Sequence, residues 1–291
     1  MPPLGAHMSI AGGMALAVDR ARSVEATALQ IFVKSSNQWA ARPFAAGEAE
    51  AFRRAAREAG LERATLAHAS YLINLASPDD ALWQKSITAL SVEIERCSAL
   101  GIPFLVVHPG SHMGSGEEAG LARVARALTL ALGEEKRGGE SPELPGVMVL
   151  VEITAGQGHA LGATFDQLAS ILDHTDCGVR LGVCFDTCHA LAAGHDFRDA
   201  HSYERMFSLF DRVLGLDRLK AFHLNDSKGS LGSRLDRHQH IGKGEVGLEA
   251  FRLILNDPRF AAIPMVLETR KGDDLAEDRE NLSILRGLVR R

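Results

Sequence analysis

Short apolar, β-branched runs alternate along the chain with longer stretches whose apolar residues recur at helical spacing. The runs predict strands at Leu4–His7, Leu29–Val33, Ala64–Ala67, Phe104–Val107, Val147–Val151, Arg180–Phe185, Leu219–Phe222 and Pro264–Leu267. A helical stretch follows each, at about 12–24, 45–59, 78–100, 117–133, 164–173, 199–214, 247–256 and 275–288. The third of these carries its own boundary signals. Ser77 suits an N-cap, Pro78 suits the first helical position, and Gly101 suits the left-handed residue that ends a helix. Gly60 closes the second helix in the same way. Eight strand–helix units predict a (β/α)8 TIM barrel, with an open doubly wound sheet as the alternative. No linker or composition shift divides residues 1–291, which read as one domain. Glu134–Pro145 reads as a solvated loop.

Composition narrows the class. Of 291 residues, 46% are hydrophobic and 24% charged, which excludes disorder and a disulfide scaffold as global descriptions. No apolar run spans a bilayer, so no membrane partner is expected. Met1–His7 has no basic region followed by an apolar one, and so does not read as a signal peptide. Four cysteines without paired spacing predict a reducing compartment, the cytoplasm. A net charge of −5 argues against binding nucleic acid through bulk positive charge, while leaving room for a local basic face.

The 12 histidines change the picture, because of where they fall. In a barrel of this kind chemistry sits at the C-terminal ends of the strands. The third predicted strand ends in His68 and the fourth in His108. The fifth ends in Glu152, and the sixth in Asp186 with His189 three residues on. The seventh ends in His223 and the eighth in Glu268. Asp236 and His238 lie between the last two strands, where extended backbone aims both the same way. A single histidine or carboxylate at a strand end is ordinarily a hydrogen-bonded structural residue or a helix cap. Six consecutive strand ends so occupied would crowd unpaired charge at one mouth, and cations relieve that. Five imidazoles and four carboxylates imply two or three ions, zinc before manganese and ahead of magnesium or calcium. Cys184 and Cys188 read as small buried residues. Such a centre suits phosphoester hydrolysis, where one ion delivers hydroxide and the others hold the developing charge. Lys34, Lys228, Arg234, Arg237 and Lys243 lie on loops of the same face and either extend a positive patch or are solvated surface charges.

Three segments, His68–Ala76, Gly182–His189 and His223–Lys228, resemble the signatures of the endonuclease IV family of abasic-site endonucleases. Gly5–His7, Val107–His112, Thr154–Gly158 and Gly232–His238 match as well, so the resemblance runs from about residue 4 to about 270. It implies a (β/α)8 barrel holding three zinc ions, with manganese as a partial substitute. His68, His108 and Glu152 would hold one. Glu152, Asp186, His223 and Glu268 would hold a second, with Glu152 bridging. His189, Asp236 and His238 would hold the third. Glu152 and Glu268 are the implied catalytic carboxylates. The implied substrate is duplex DNA with abasic sites or blocked 3′ ends, cut 5′ to the abasic site to leave a 3′-hydroxyl and a 5′-deoxyribose phosphate. The enzyme would act as a monomer in DNA repair. Tyr71 and Leu72 would wedge into the gap left by a flipped nucleotide, with Asn37, Arg234 and Arg237 also on the DNA. Without the resemblance, Tyr71 reads as packed on the barrel rim. Three positions depart from the family pattern: Asn37 stands where an Arg is usual, Ala69 where an Asp is common, and Ile153 where an Asn is common. The competing classes are a metal-dependent sugar isomerase or epimerase, and a non-catalytic damage-binding module. The first would need neither Asp236-Arg237-His238 nor a Tyr-Leu wedge, and the second would be expected to lose ligands.

Overall fold

A computed structural model describes residues 1–138, 146–176 and 180–290. Eight parallel strands close on themselves: β1 (Leu4–His7), β2 (Ala28–Phe32), β3 (Thr65–His68), β4 (Phe104–Val107), β5 (Met148–Glu152), β6 (Leu181–Asp186), β7 (Leu219–His223) and β10 (Met265–Leu267), which pairs back onto β1. This is the predicted TIM barrel. The added pair β8 (Asp226–Ser227) and β9 (His238–Gln239) is an antiparallel ribbon on the loop after β7. Gly5 is required by the closure, since a Cβ there would lie 1.8 Å from the carbonyl oxygen of Ala28 on β2.

The helices form the outer layer: α1 (Met14–Ser23), α2 (Glu48–Glu58), α3 (Asp80–Leu100), α4 (Glu117–Gly138), α5 (Phe165–Asp173), α6 (Thr187–Ala193), α7 (Ala200–Leu214), α8 (Leu248–Leu255) and α9 (Ala276–Leu288). Two boundaries and one additional helix correct the sequence reading. α3 is capped by Asp79, whose carboxylate accepts from Leu82 N, while Ser77 Oγ accepts from Asp79 N and shapes the turn before it. Gly101 does end α3 in the left-handed region, at φ 69°. α4 continues through Gly138, so Glu134–Gly138 are helical, and the rest of the expected loop lies outside the described residues. The seven-residue α6, which the sequence did not reveal, starts directly at the end of β6.

Two apolar layers hold the barrel. The larger lies between strands and helices. The smaller fills the barrel itself with Ala28, Leu66, Val106, Leu150, Cys184, Ala221 and Val266. Side chains of a strand alternate between its faces, so the residue two positions on points inward again, one layer nearer the mouth. Those residues are Gln30, His68, His108, Glu152, Asp186, His223 and Glu268. The apolar plug is therefore the floor of a polar chamber, set by strand register alone.

Candidate metal centre and nucleic-acid interface

Glu152 sits at the centre of the chamber, fully buried. Its Oε2 lies 3.1 Å from His68 Nε2 and 2.9 Å from His108 Nε2, and its Oε1 lies 2.8 Å from His223 Nδ1. His223 Nδ1 is also 3.2 Å from Glu268 Oε2. His189 Nε2 lies 3.3 Å from Asp236 Oδ1, and His238 Nε2 lies 3.7 Å from both Asp186 and Asp236. The donor atoms fall into the groups His68–His108–Glu152, Glu152–Asp186–His223–Glu268 and His189–Asp236–His238, within 4.8 Å of one another inside each. A further grouping, Asp186–Cys188–His238, overlaps these. In the metal-free protein burial pushes the Cys188 thiol up to about 12. Among the described residues, then, the structure brings all nine sequence-predicted metal-type side chains to one mouth.

Their hydrogen bonds fix which atoms face inward. A carbonyl oxygen only accepts, so Ala69 O takes the Nδ1 hydrogen of His68 at 2.8 Å, and Ile153 O takes that of His189 at 3.0 Å. The Gln30 amide donates to Glu268 Oε1 at 2.5 Å and to His7 Nδ1 at 3.1 Å, so its oxygen accepts from His223 Nε2 at 2.8 Å. Each of these three rings thereby turns its other nitrogen, a lone pair in the neutral imidazole, onto a carboxylate. Lone pair against anion is repulsive unless a proton or a cation lies between them. Among the described residues the buried His238 Nε2 has no hydrogen-bond partner at all. Oriented imidazoles, buried carboxylates and an orphaned nitrogen fit divalent metal ions.

In the protein alone, protons fill that role. Burial by itself lowers the pKa of His189, but Asp186, Asp236 and Glu152 raise it well above the usual imidazole value. His223 is likewise raised against its burial, with Cys184, Glu268 and Glu152 favouring the charged ring. Burial disfavours ionised Glu152, yet His223, His108 and His189 hold it well below the ordinary carboxyl range. Burial also opposes ionised Glu268, which His223 and His68 nevertheless hold at about 2. Desolvation drops His7 to about 3, so it stays a neutral acceptor.

Gln30 and His7 are parts of the centre to which sequence reading gave no role. The signal was register: Gln30 stands two positions after Ala28, as His68 stands two after Leu66. At Ala69 and Ile153 the contacts to the metal-type histidines come from the backbone. Both side chains are buried, and both residues serve through their backbone carbonyls, which no side-chain replacement removes.

The rim surrounds a 580 Å³ cleft lined in part by Tyr71, Asn74, His108, Gln157, His189 and Asp236. Tyr71 is 65% exposed, its ring edge-on to Phe32 at 5.6 Å and tilted to His68 at 5.7 Å. Leu72 is half-buried, and Asn37, Arg234 and Arg237 are exposed. Of the five expected basic residues, Lys34 does not join the patch, since it is buried 3.2 Å from Glu93. Lys243 is tied to Glu280 at 2.9 Å. Lys228, Arg234 and Arg237 remain exposed.

Fold and site together define a TIM-barrel enzyme with a metal-type mouth. The family model described as xylose isomerase-like TIM barrel matches residues 18–287. Proteins named probable endonuclease 4 are 53% identical over 290 residues in Chloroflexus aggregans, covering 100% of this chain and 99% of the relative. In Geobacter sulfurreducens the figure is 50% over 288 residues, covering 99% and 95%. The crystal structure of endonuclease IV from Thermus thermophilus matches with a TM-score of 0.84 at 39% identity, over 99% of this chain and 98% of that one. The chain belongs to the endonuclease IV family. A D-tagatose 3-epimerase-like protein matches at TM-score 0.72 with 17% identity over 98% and 97% of the two chains, a likeness of fold alone. Among the described residues no helix is long and apolar enough to cross a membrane.

Proposed function

We propose that this protein hydrolyses the DNA phosphodiester 5′ to abasic sites and removes blocking groups from 3′ ends, using three zinc ions held by the nine side chains. The observation that carries the reading is the inward lone-pair arrangement of His68, His189 and His223 against buried carboxylates, completed by the orphaned His238 nitrogen. When bound, the ions supply Lewis-acid charge for the phosphate and lower the pKa of a water. His68, His108 and Glu152 would hold one ion, Glu152, Asp186, His223 and Glu268 a second, and His189, Asp236 and His238 the third. Glu152 spans two donor groups with its two oxygens and so sets their spacing. Glu268, steadied by the Gln30 amide and by the Asn225 side chain at its backbone N–H, closes the far side.

In the net reaction a water oxygen bonds to phosphorus and the bond from phosphorus to the neighbouring 3′ oxygen breaks. That oxygen leaves as a 3′-hydroxyl, and the 5′-deoxyribose phosphate remains on the other strand end. Tyr71 and Leu72 enter the gap in the base stack, and Asn37, Arg234 and Arg237 contact the DNA. The protein acts as a monomer of one domain in the cytoplasm. Cleavage of a duplex with one abasic site tests the reading. Incision 5′ to the site, lost on chelation and restored by zinc, supports it. Absence of incision by protein loaded with zinc contradicts it.

A further inference from the structure

Behind the rim, α3 carries a polar cluster that the chemistry above does not use. Glu93 is 1% exposed, and its Oε1 lies 3.2 Å from Lys34 Nζ on the loop after β2. The same carboxylate accepts from Ser70 N, on the loop after β3, at 3.2 and 3.3 Å. Lys34 donates back to Gln38 O at 2.6 Å, and Ser70 Oγ donates across to Ser36 O at 2.6 Å. One turn further along α3, Arg96 donates to Val33 O at 2.7 Å and Arg42 O at 2.9 Å, and lies over the Phe44 ring. Leu72 N donates to Ser70 Oγ, which fastens the residue beside Tyr71 to the same cluster.

A buried ion pair is weak as a source of stability, because desolvation offsets its attraction and a packed apolar pair does as well. Its distinctive property is direction: it fixes which groups meet and at what distance. Here one carboxylate touches two loops, and those loops carry Asn37 on one side and Tyr71 and Leu72 on the other. We propose that Glu93 is a positioning residue, which with Lys34 and Ser70 locks the Asn37 loop and the Tyr71–Leu72 wedge into one rigid unit that discriminates abasic from intact duplex. This rests on the reading that those side chains meet DNA.

Two variants test it without depending on one fold. Ser70→Ala removes the bridge to Ser36 and leaves the charges paired. The double variant Lys34→Met with Glu93→Met replaces the ion pair by apolar side chains of similar length. For each, the affinity ratio between abasic and intact duplex is measured beside zinc content and cleavage at saturating DNA. In the double variant the ratio falls by roughly tenfold or more, in Ser70→Ala by less, while zinc content and cleavage at saturating DNA stay near wild type. A wild-type ratio in both variants overturns the proposal alone, as does a fall in zinc content parallel to the fall in discrimination. A wild-type protein that binds abasic and intact duplex equally contradicts the functional reading, and this inference with it.

Discussion

At the residue scale, the proposed function assigns Glu152 and Tyr71 to two different tasks, holding metal and meeting DNA. Glu152 is the buried centre of the donor set, and Tyr71 is an exposed rim ring in contact with a donor. Glu152→Gln keeps the size and loses the charge, and an amide bridges two cations poorly. Single-turnover incision should fall by on the order of 10²–10³ while binding to abasic duplex in a gel-shift assay stays close to wild type. Near-wild-type cleavage by that variant rules out the bridging role. Tyr71→Ala should weaken abasic-duplex binding by about 1–3 kcal/mol and leave the metals bound. Zinc loss in that variant assigns Tyr71 a structural role instead. Gln30→Ala frees the His223 ring and one oxygen of Glu268. Zinc affinity measured by chelator competition should drop by roughly 10–100-fold, as for other partners that orient a metal-binding imidazole.

At the scale of elements, the ribbon β8–β9 is what brings Asp236 and His238 over the mouth, and Asp226 organises it. Its buried carboxylate accepts from Ser227 N, Gly242 N, Gly244 N and Val246 N. Asp226→Ala leaves those donors unsatisfied, a cost on the order of 3 kcal/mol. If the His189–Asp236–His238 group empties first, elemental analysis should then show a loss of about one of three zinc ions per chain, the other two being retained. Loss of all the zinc, or of none, contradicts a separate role for the ribbon.

This is also the scale at which the sequence was most and least readable. Strands were legible because each is a short apolar run buried on both faces. Six of the donors were legible because each closes such a run, and His189, Asp236 and His238 by their short spacing in the loops that follow. α6 was not, because seven residues joined without a break to β6 give no helical period to read. The burial of Lys34 was hidden because its partner Glu93 lies 59 residues along the chain, on another element. Gln30 gives no signal by residue type, which suggests no metal chemistry, although its register does.

For the whole molecule, the proposed metal ions would compete with protons for one chamber. In the metal-free protein, His189 and His223 are raised, so their contribution to stability is complete below the ordinary imidazole value of about 6.5 and is lost as pH climbs through the raised values. Glu152 and Glu268 are depressed, so theirs is present above about 4.5 and is lost as pH falls through the lowered values. The metal-free protein should therefore be most stable between about pH 4.5 and about pH 6.5, and its Tm should fall as pH rises above that window. Zinc requires deprotonated rings, so the loaded protein should gain Tm relative to the metal-free form as pH rises over the same range. Parallel Tm curves for the two forms would contradict this competition.

The claim on which the rest depends is that the donor groups at the mouth each hold an ion. Elemental analysis of carefully prepared protein, with metal counted per chain, tests it most directly. The account predicts close to three zinc ions per chain, one for each of the groups built on Glu152, His223 and His189. A single divalent ion per chain contradicts it.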